Sequence, residues 1–317
     1  MSTGARTAPV ASVDADSRVV GPLAVIAAAG LWGTVGPAQV LADSAVDPGT
    51  LGVARLLVGG AALALLSPWP TAWRAVLTRT TARWILLAAA ATGVYQVTFM
   101  HAVDQLGAAL GTSIALGVAP IATGVCARWW SGERLSPAWV AGTALAVLGC
   151  AVLLNPWGSA PAVSGVCVAL VSGICYGVYT VAAKKFLDQG VPAVPVTAAT
   201  LLLAGVALSP LLALHTEHLV EKSTLALLAW TGLAGTALAY AAFVRGVHRT
   251  TAATAGTLSL AEPLLAAALG VLVLHEGLGA STLAGCALLL AGLAFVAVLN
   301  SCRRQPQPPA RRRGDWP

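Results

Sequence analysis

A glutamate, an arginine, four tyrosines, a mid-span glutamine and a mid-span tryptophan fall inside long apolar stretches of this 317-residue chain. In hydrocarbon such groups persist mainly where a cavity or a partner receives them. Glu262 is followed by Pro263, whose missing N–H and bulky ring open a helix locally. A carboxylate beside freed carbonyls would hold a cation or an ammonium group and would suit a proton-coupled step. The other role open to Glu262 is that of a neutral acid bonded to a neighbouring helix. Arg55 lies about one turn inside its stretch, where a guanidinium grips a carboxylate through two parallel hydrogen bonds. Alternatively it snorkels to the nearer interface or pairs with Asp43 or Asp47. Trp32, Tyr176 and Tyr179 offer stacking and cation–π faces to an organic solute, or else simply pack.

Tyr95 and Gln96 share another stretch. Gln96 falls at its middle and needs partners, while His101 and Asp104 lie near its end, toward water. Ser113 and Ser259, with Thr257 and Tyr240, complete the polar set inside apolar sequence; hydroxyls there commonly bond back to their own helix. Glu133 and Glu276 stand just past apolar stretches and are expected to cap helix N-termini or pair with nearby arginines.

Positioning these groups falls to an all-α scaffold. Hydrophobic residues make up 57% of the chain and charged ones only 9%, with a mean hydropathy of +0.81, whereas soluble domains carry about 25% charge. Ten apolar stretches occur, near 22–41, 51–67, 84–103, 107–127, 137–154, 163–183, 196–214, 224–243, 252–274 and 280–299. Each approaches the roughly 20 residues that cross a bilayer. The expectation is an integral membrane protein of ten transmembrane helices: a cytoplasmic N-terminal tail (1–21), a first five-helix half (22–154), a second (163–299) and a basic cytoplasmic C-terminal tail (300–317). The head lacks a small-residue cleavage site after an apolar core, so the first span is expected to stay as an anchor.

Sixteen of the eighteen Lys and Arg residues fall on one side: Arg6, Arg18, Arg74, Arg79, Arg83, Arg128, Arg134, Lys184, Lys185, Arg245, Arg249 and the five arginines of the tail. By the positive-inside rule that side is cytoplasmic. The net charge of +6 is therefore a topology signal, and no nucleic-acid partner is expected. Trp69, Trp73, Trp84, Trp129, Trp130, Trp139 and Trp157 sit at span ends, as interfacial belt residues do. The six cysteines lie within or at the edge of spans, read as packing residues.

The chain also repeats itself. At an offset of 143 residues Pro120 falls on Pro263, Glu133 on Glu276, Gly142 on Gly285 and Gly149 on Gly292; at 144, Trp32 meets Tyr176, Gly33 meets Gly177, Pro48 meets Pro192 and Phe99 meets Phe243. Pro120 and Pro263 are thus expected to be matching helix breaks. Five spans per half is odd, so the second half must enter the membrane in the opposite sense. Such inverted repeats are typical of secondary transporters with a midplane site.

These features resemble the EamA-type members of the drug/metabolite transporter superfamily. The resemblance rests on Gly30-Leu31-Trp32-Gly33, Arg55, Ala119-Pro120 followed by Gly132-Glu133-Arg134-Leu135, and Ala261-Glu262-Pro263-Leu264 followed by His275-Glu276. It covers about residues 22–299. Ala119 stands opposite Glu262 in the repeat, so no symmetric carboxylate pair exists, and His275 replaces the commoner Gly. The resemblance implies a ten-helix inverted repeat around a central cavity, in a protein that exports amino acids, metabolites or drugs.

No phosphate-binding loop, zinc-ligand spacing or nucleophile elbow occurs, so no ATPase, enzyme, metal site or cofactor is expected. The reading is a secondary active transporter of the plasma membrane, exporting a small organic solute by alternating access, its partners being the bilayer, the solute and protons as coupling ion, as monomer or homodimer. A site lined by the first, third, fourth, sixth, eighth and ninth spans is expected. A nucleotide-sugar or lipid flippase and an integral membrane enzyme remain the alternatives.

Overall fold

The computed structural model describes residues 11–67, 71–76, 78–154, 162–213, 217–275, 277 and 279–302; Trp69, Trp157, Glu276 and most of both tails lie outside them. Among these residues the secondary structure is helical throughout. In chain order the helices are α1 (Ala11–Gly33), α2 (Val35–Ala42), α3 (Pro48–Leu65), α4 (Thr71–Val76), α5 (Arg79–Leu106), α6 (Ala108–Ser131), α7 (Pro137–Leu154), α8 (Val163–Leu187), α9 (Ala193–Leu208), α10 (Lys222–Ala229), α11 (Ala239–Arg249), α12 (Ala252–Leu258), α13 (Ala261–Leu272) and α14 (Ala280–Cys302). Ten helical segments are long and apolar enough to cross a membrane. Seven spans are single helices, with α9 lengthened by a 3₁₀ turn over Ser209–Ala213.

The other three are interrupted. α1 and α2 are hinged at Thr34, whose hydroxyl donates to the Leu31 carbonyl at 2.7 Å. α10 and α11 are joined by a π-helical stretch, Trp230–Leu238, in which the Thr236 hydroxyl donates to the Thr231 carbonyl five residues back. The ninth span divides between α12 and α13. There the Leu260 amide reaches only to the Thr257 carbonyl and the Glu262 amide to that of Ser259, the tighter turns that end an α-helix.

Pro263 lies in the first turn of α13, where a missing N–H costs nothing, so the break falls just ahead of it. Its repeat partner corrects the sequence reading: Pro120 sits inside α6, which runs unbroken from Ala108 to Ser131. Pro120 is buried against its neighbours, and the proline alone does not interrupt the span.

Local chemistry sets the ends. Asp47 accepts from the Thr50 amide at 2.8 Å and Pro48 opens α3. α6 ends at Gly132 with φ +65°, whose amide and that of Glu133 both reach back to the Ala127 carbonyl, the doubled C-terminal turn that glycine favours.

Large side chains such as Leu65, Leu86, Leu272 and Val298 point out of the bundle, while alanine, threonine and glycine fill its interior. Lipid gives no hydrophobic drive between helices, so small residues that let backbones meet must supply the packing. These close approaches recur with the two halves exchanged. A Cβ on Gly33 would lie 3.1 Å from the Ala266 amide nitrogen, and one on Gly177 would lie 2.6 Å from that of Thr123; Thr123 falls on Ala266 at the 143-residue offset. Likewise Gly149 of α7 abuts Leu289 of α14, while Gly292 of α14 abuts Ala146 of α7. Rising numbers in one helix meet falling numbers in the other, so these equivalent spans run antiparallel.

Of the belt tryptophans, Trp129 and Trp130 are exposed, Trp84 rings lie 6.1 Å from Trp130, and Arg83 covers Trp84 at 5.2 Å. Trp139 departs from the expectation: its ring turns inward over Gly124, because that glycine leaves room for it. Trp73 also packs against the core.

Replacing Gly149 by valine should lower stability by about 1–3 kcal/mol through overpacking, read as a drop in the unfolding midpoint in detergent. Leu148→Val, on the exposed face, should change it by less than about 0.5 kcal/mol.

Candidate functional site

A cavity of about 410 Å³ opens between the halves. Its walls come from α1 and α2 (Trp32, Gly33, Val35), α3 (Gly52, Arg55), α5 (Thr92, Tyr95, Gln96, Phe99), the start of α6 (Ala108, Thr112), α8 (Cys175, Tyr176, Tyr179), α11 (Tyr240) and α13 (Glu262, Ala266). It reaches Gly36, Gln39 and Ala108, which are exposed, so its mouth lies at the end of the bundle where α2 meets α3 and α5 meets α6. The opposite end is packed shut: Gly21 of α1 rests on Arg249 of α11, and Gly246 rests on Val25.

Seven of the nine residues expected at a binding site line this one cavity: Glu262, Trp32, Tyr176, Tyr179, Gln96, Tyr95 and Arg55. Ser113 and Ser259 do not. Ser113 is buried within α6 while its neighbour Thr112 faces the cavity, and the Ser259 hydroxyl donates to the Gly256 carbonyl at 2.8 Å, the backbone bond that competes for such residues. The second span, which carries Arg55, was absent from the expected lining. Tyr240 also belongs to the wall; it falls 144 residues after Gln96, a signal the repeat already contained.

Aromatic rings make up the floor. Trp32 lies 5.5 Å from Tyr240 and 5.2 Å from Phe243, Tyr176 lies 6.3 Å from Trp32 and 6.4 Å from Tyr95, and Tyr179 lies 5.6 Å from Tyr240. All four tyrosines of the chain therefore surround one space. The Tyr179 hydroxyl is buried without a hydrogen-bond partner among the described residues, while that of Tyr176 faces Ser259. Edge-to-face rings are favourable for packing, and an unpaired hydroxyl at a cavity wall is ready to bind a polar group.

Opposite charges occupy different walls. Arg55 donates from Nη2 to Gln96 Oε1 at 3.3 Å. Neither of the proposed aspartate partners holds it: Asp43 is exposed and Asp47 caps its own helix. Glu262 and Arg55 form no ion pair, the ion pairs among the described residues being Lys184 with Asp188 and His218 with Glu221. Of the carbonyls at the break beside Glu262, those of Thr257 and Ser259 are taken by tight turns and that of Gly256 by a serine hydroxyl. The carboxylate itself is what this break presents to the cavity. His101 and Asp104 are exposed, as expected.

Glu133 acts elsewhere. Its two carboxylate oxygens accept from the amides of Ala252 at 2.9 Å and Ala253 at 3.2 Å, while Thr251 caps Thr254 at 3.1 Å. It thus closes the N-terminus of α12 at the packed end, joining the first half to the second, as its position after a span suggested.

Known proteins match this arrangement. The EamA-like transporter family profile matches residues 19–155 and again 163–298. The chain belongs to the EamA-like transporter family. An uncharacterized transporter of Bacillus subtilis, YwfM, is 35% identical over 279 residues, covering 87% of this chain and 93% of that protein. An uncharacterized protein of Pseudomonas aeruginosa is 30% identical, covering 81% and 86%. A solved crystal structure shares 25% identity with a TM-score of 0.73 and covers 88% of this chain and 97% of its own. This EamA chain is accordingly a multi-pass membrane protein of the drug/metabolite transporter superfamily, and a transporter.

The Glu133 joint makes a direct prediction. Ala252 and Ala253 are 0% and 3% exposed, so Glu133→Ala leaves two buried amides unpaired, at about 1–3 kcal/mol each. Thermal unfolding in detergent should show a loss of that order, partly restored in Glu133→Gln.

Proposed function

We propose that this EamA protein is a secondary carrier of the plasma membrane that exports a small organic solute by alternating access between two inverted five-helix halves. The observation that carries the reading is the pairing of one carboxylate, Glu262, and one guanidinium, Arg55, on separate walls of an aromatic cavity open at one end. Buried charges need partners, and a solute bearing a cationic and an anionic group, as an amino acid does, supplies both. The rings around them hold an apolar body and receive an ammonium group over their faces.

The basic residues place both termini in the cytoplasm, so the cavity mouth is extracellular and the packed end of Glu133 and α12 cytoplasmic. This is the outward-facing half of a transport cycle. Protons as coupling ion fit a carboxylate exposed to the cavity. A nucleotide-sugar substrate fits less well: its paired phosphates call for several cations, and Arg55 is the cation among the lining residues, facing a carboxylate that repels phosphate.

The test is solute counterflow in proteoliposomes with labelled amino acids and small amphiphiles, with and without an imposed pH gradient. Glu262→Gln should insert and fold normally yet lose saturable exchange or its response to the gradient. Wild-type flux and gradient response in that variant would make Glu262 a packing residue and overturn this reading.

A further inference from the structure

Resting on that reading, we infer that Gln96 determines which charge class of solute the cavity accepts, by holding Arg55 through a neutral oxygen so that the guanidinium charge stays available. Gln96 is 5% exposed, and its Oε1 accepts from Arg55 Nη2 across the gap between α5 and α3. The rest of its amide is fixed by Gly52, three residues before Arg55 and on the same face of α3. A Cβ on Gly52 would meet Gln96 Nε2 and lie 2.7 Å from its Cδ, so only glycine leaves room for the amide in this orientation. Gln96 is a positioning residue for Arg55, and Gly52 is the cradle of Gln96.

The choice of an amide matters because of what stands opposite. With Gln96 neutral, Arg55 and Glu262 give the cavity one positive and one negative charge with no ion pair between them. A solute with a single positive group satisfies Glu262 but is repelled by the guanidinium, and a solute with a single negative group meets the reverse. A zwitterion completes both. Glutamate has the shape of glutamine; at position 96 it would pair with Arg55 and leave Glu262 as the one uncompensated charge. The same cavity would then prefer monocations.

Three probes with one apolar body separate the cases: leucine, isoamylamine and 4-methylpentanoate. Binding is read as ligand-induced thermal stabilisation of the purified full-length protein, and transport as counterflow in proteoliposomes. Wild type should favour leucine over isoamylamine by about tenfold or more, the scale of one hydrogen bond to a charged group. Gln96→Glu should reverse that order. Gly52→Ala, which displaces Gln96 without adding charge, should weaken leucine and 4-methylpentanoate while sparing isoamylamine, as should Arg55→Gln. A structural role alone would lower all three probes equally. An unchanged order in Gln96→Glu and in Gly52→Ala, with wild type transporting, overturns the inference and leaves the carrier reading standing. If wild type binds none of the three, the inference also fails, and counterflow with the wider solute panel then decides the carrier reading on its own.

Discussion

Everything in this molecule answers to one constraint: inside a bilayer a polar group that finds no partner within the protein finds none at all. Backbone groups meet it by forming helices, and serine and threonine meet it by bonding backward, as Thr92, Thr123, Thr180 and Thr200 do to carbonyls four residues earlier. Against that background the exceptions stand out. Glu262, Arg55 and the Tyr179 hydroxyl gather at one cavity instead of being paired off locally. A protein selected for stability alone would have apolar side chains in place of the carboxylate and the guanidinium.

They stay apart because the backbone holds them apart. Arg55 is tied back to α5 through Gln96, and Glu262 stands in the first turn of α13, just past the break from α12. That break is pinned on both sides: Gly33 brings α1 against the Glu262 carbonyl, and Thr257 shares a hydroxyl bond with Thr143 of α7 at 2.9 Å. Small residues thus do more than tighten the bundle. By letting α1 reach the break in the ninth span they fix the depth at which the carboxylate stands.

Much of this was written in the pattern of hydropathy and repetition. Ten spans, and seven of the nine candidate residues at the cavity wall, follow from where apolar runs lie and which polar residues interrupt them, because burying a charge in hydrocarbon is too costly to be incidental. What the pattern missed depends on neighbours far away in sequence. Pro120 and Pro263 occupy equivalent positions, yet only the second stands beside a break, since tertiary packing decides whether a span tolerates its proline. Arg55 looked equally able to reach Asp47 or the interface, and its partner proved to be a glutamine 41 residues on, admitted by a glycine. The π-helical stretch over Trp230–Leu238 leaves no trace in composition at all.

The packed end shows what motion would require. Glu133 puts a charge-assisted pair of hydrogen bonds onto the first amides of α12, and such bonds are about twice as strong as neutral ones. α12 leads directly into the turn that carries Glu262, so the group that closes one end and the group that faces the cavity belong to one span. For the cavity to open at the packed end, α12 must leave Glu133 or carry the α6–α7 connection with it. In the cycle proposed above, a solute that bridged Arg55 and Glu262 would pull the second and ninth spans together across the cavity, and that force would act on the same segment. Because a ligand shifts a conformational equilibrium only by its difference in affinity for the two states, the joint at Glu133 would then be part of what solute binding must outweigh before the cavity changes sides.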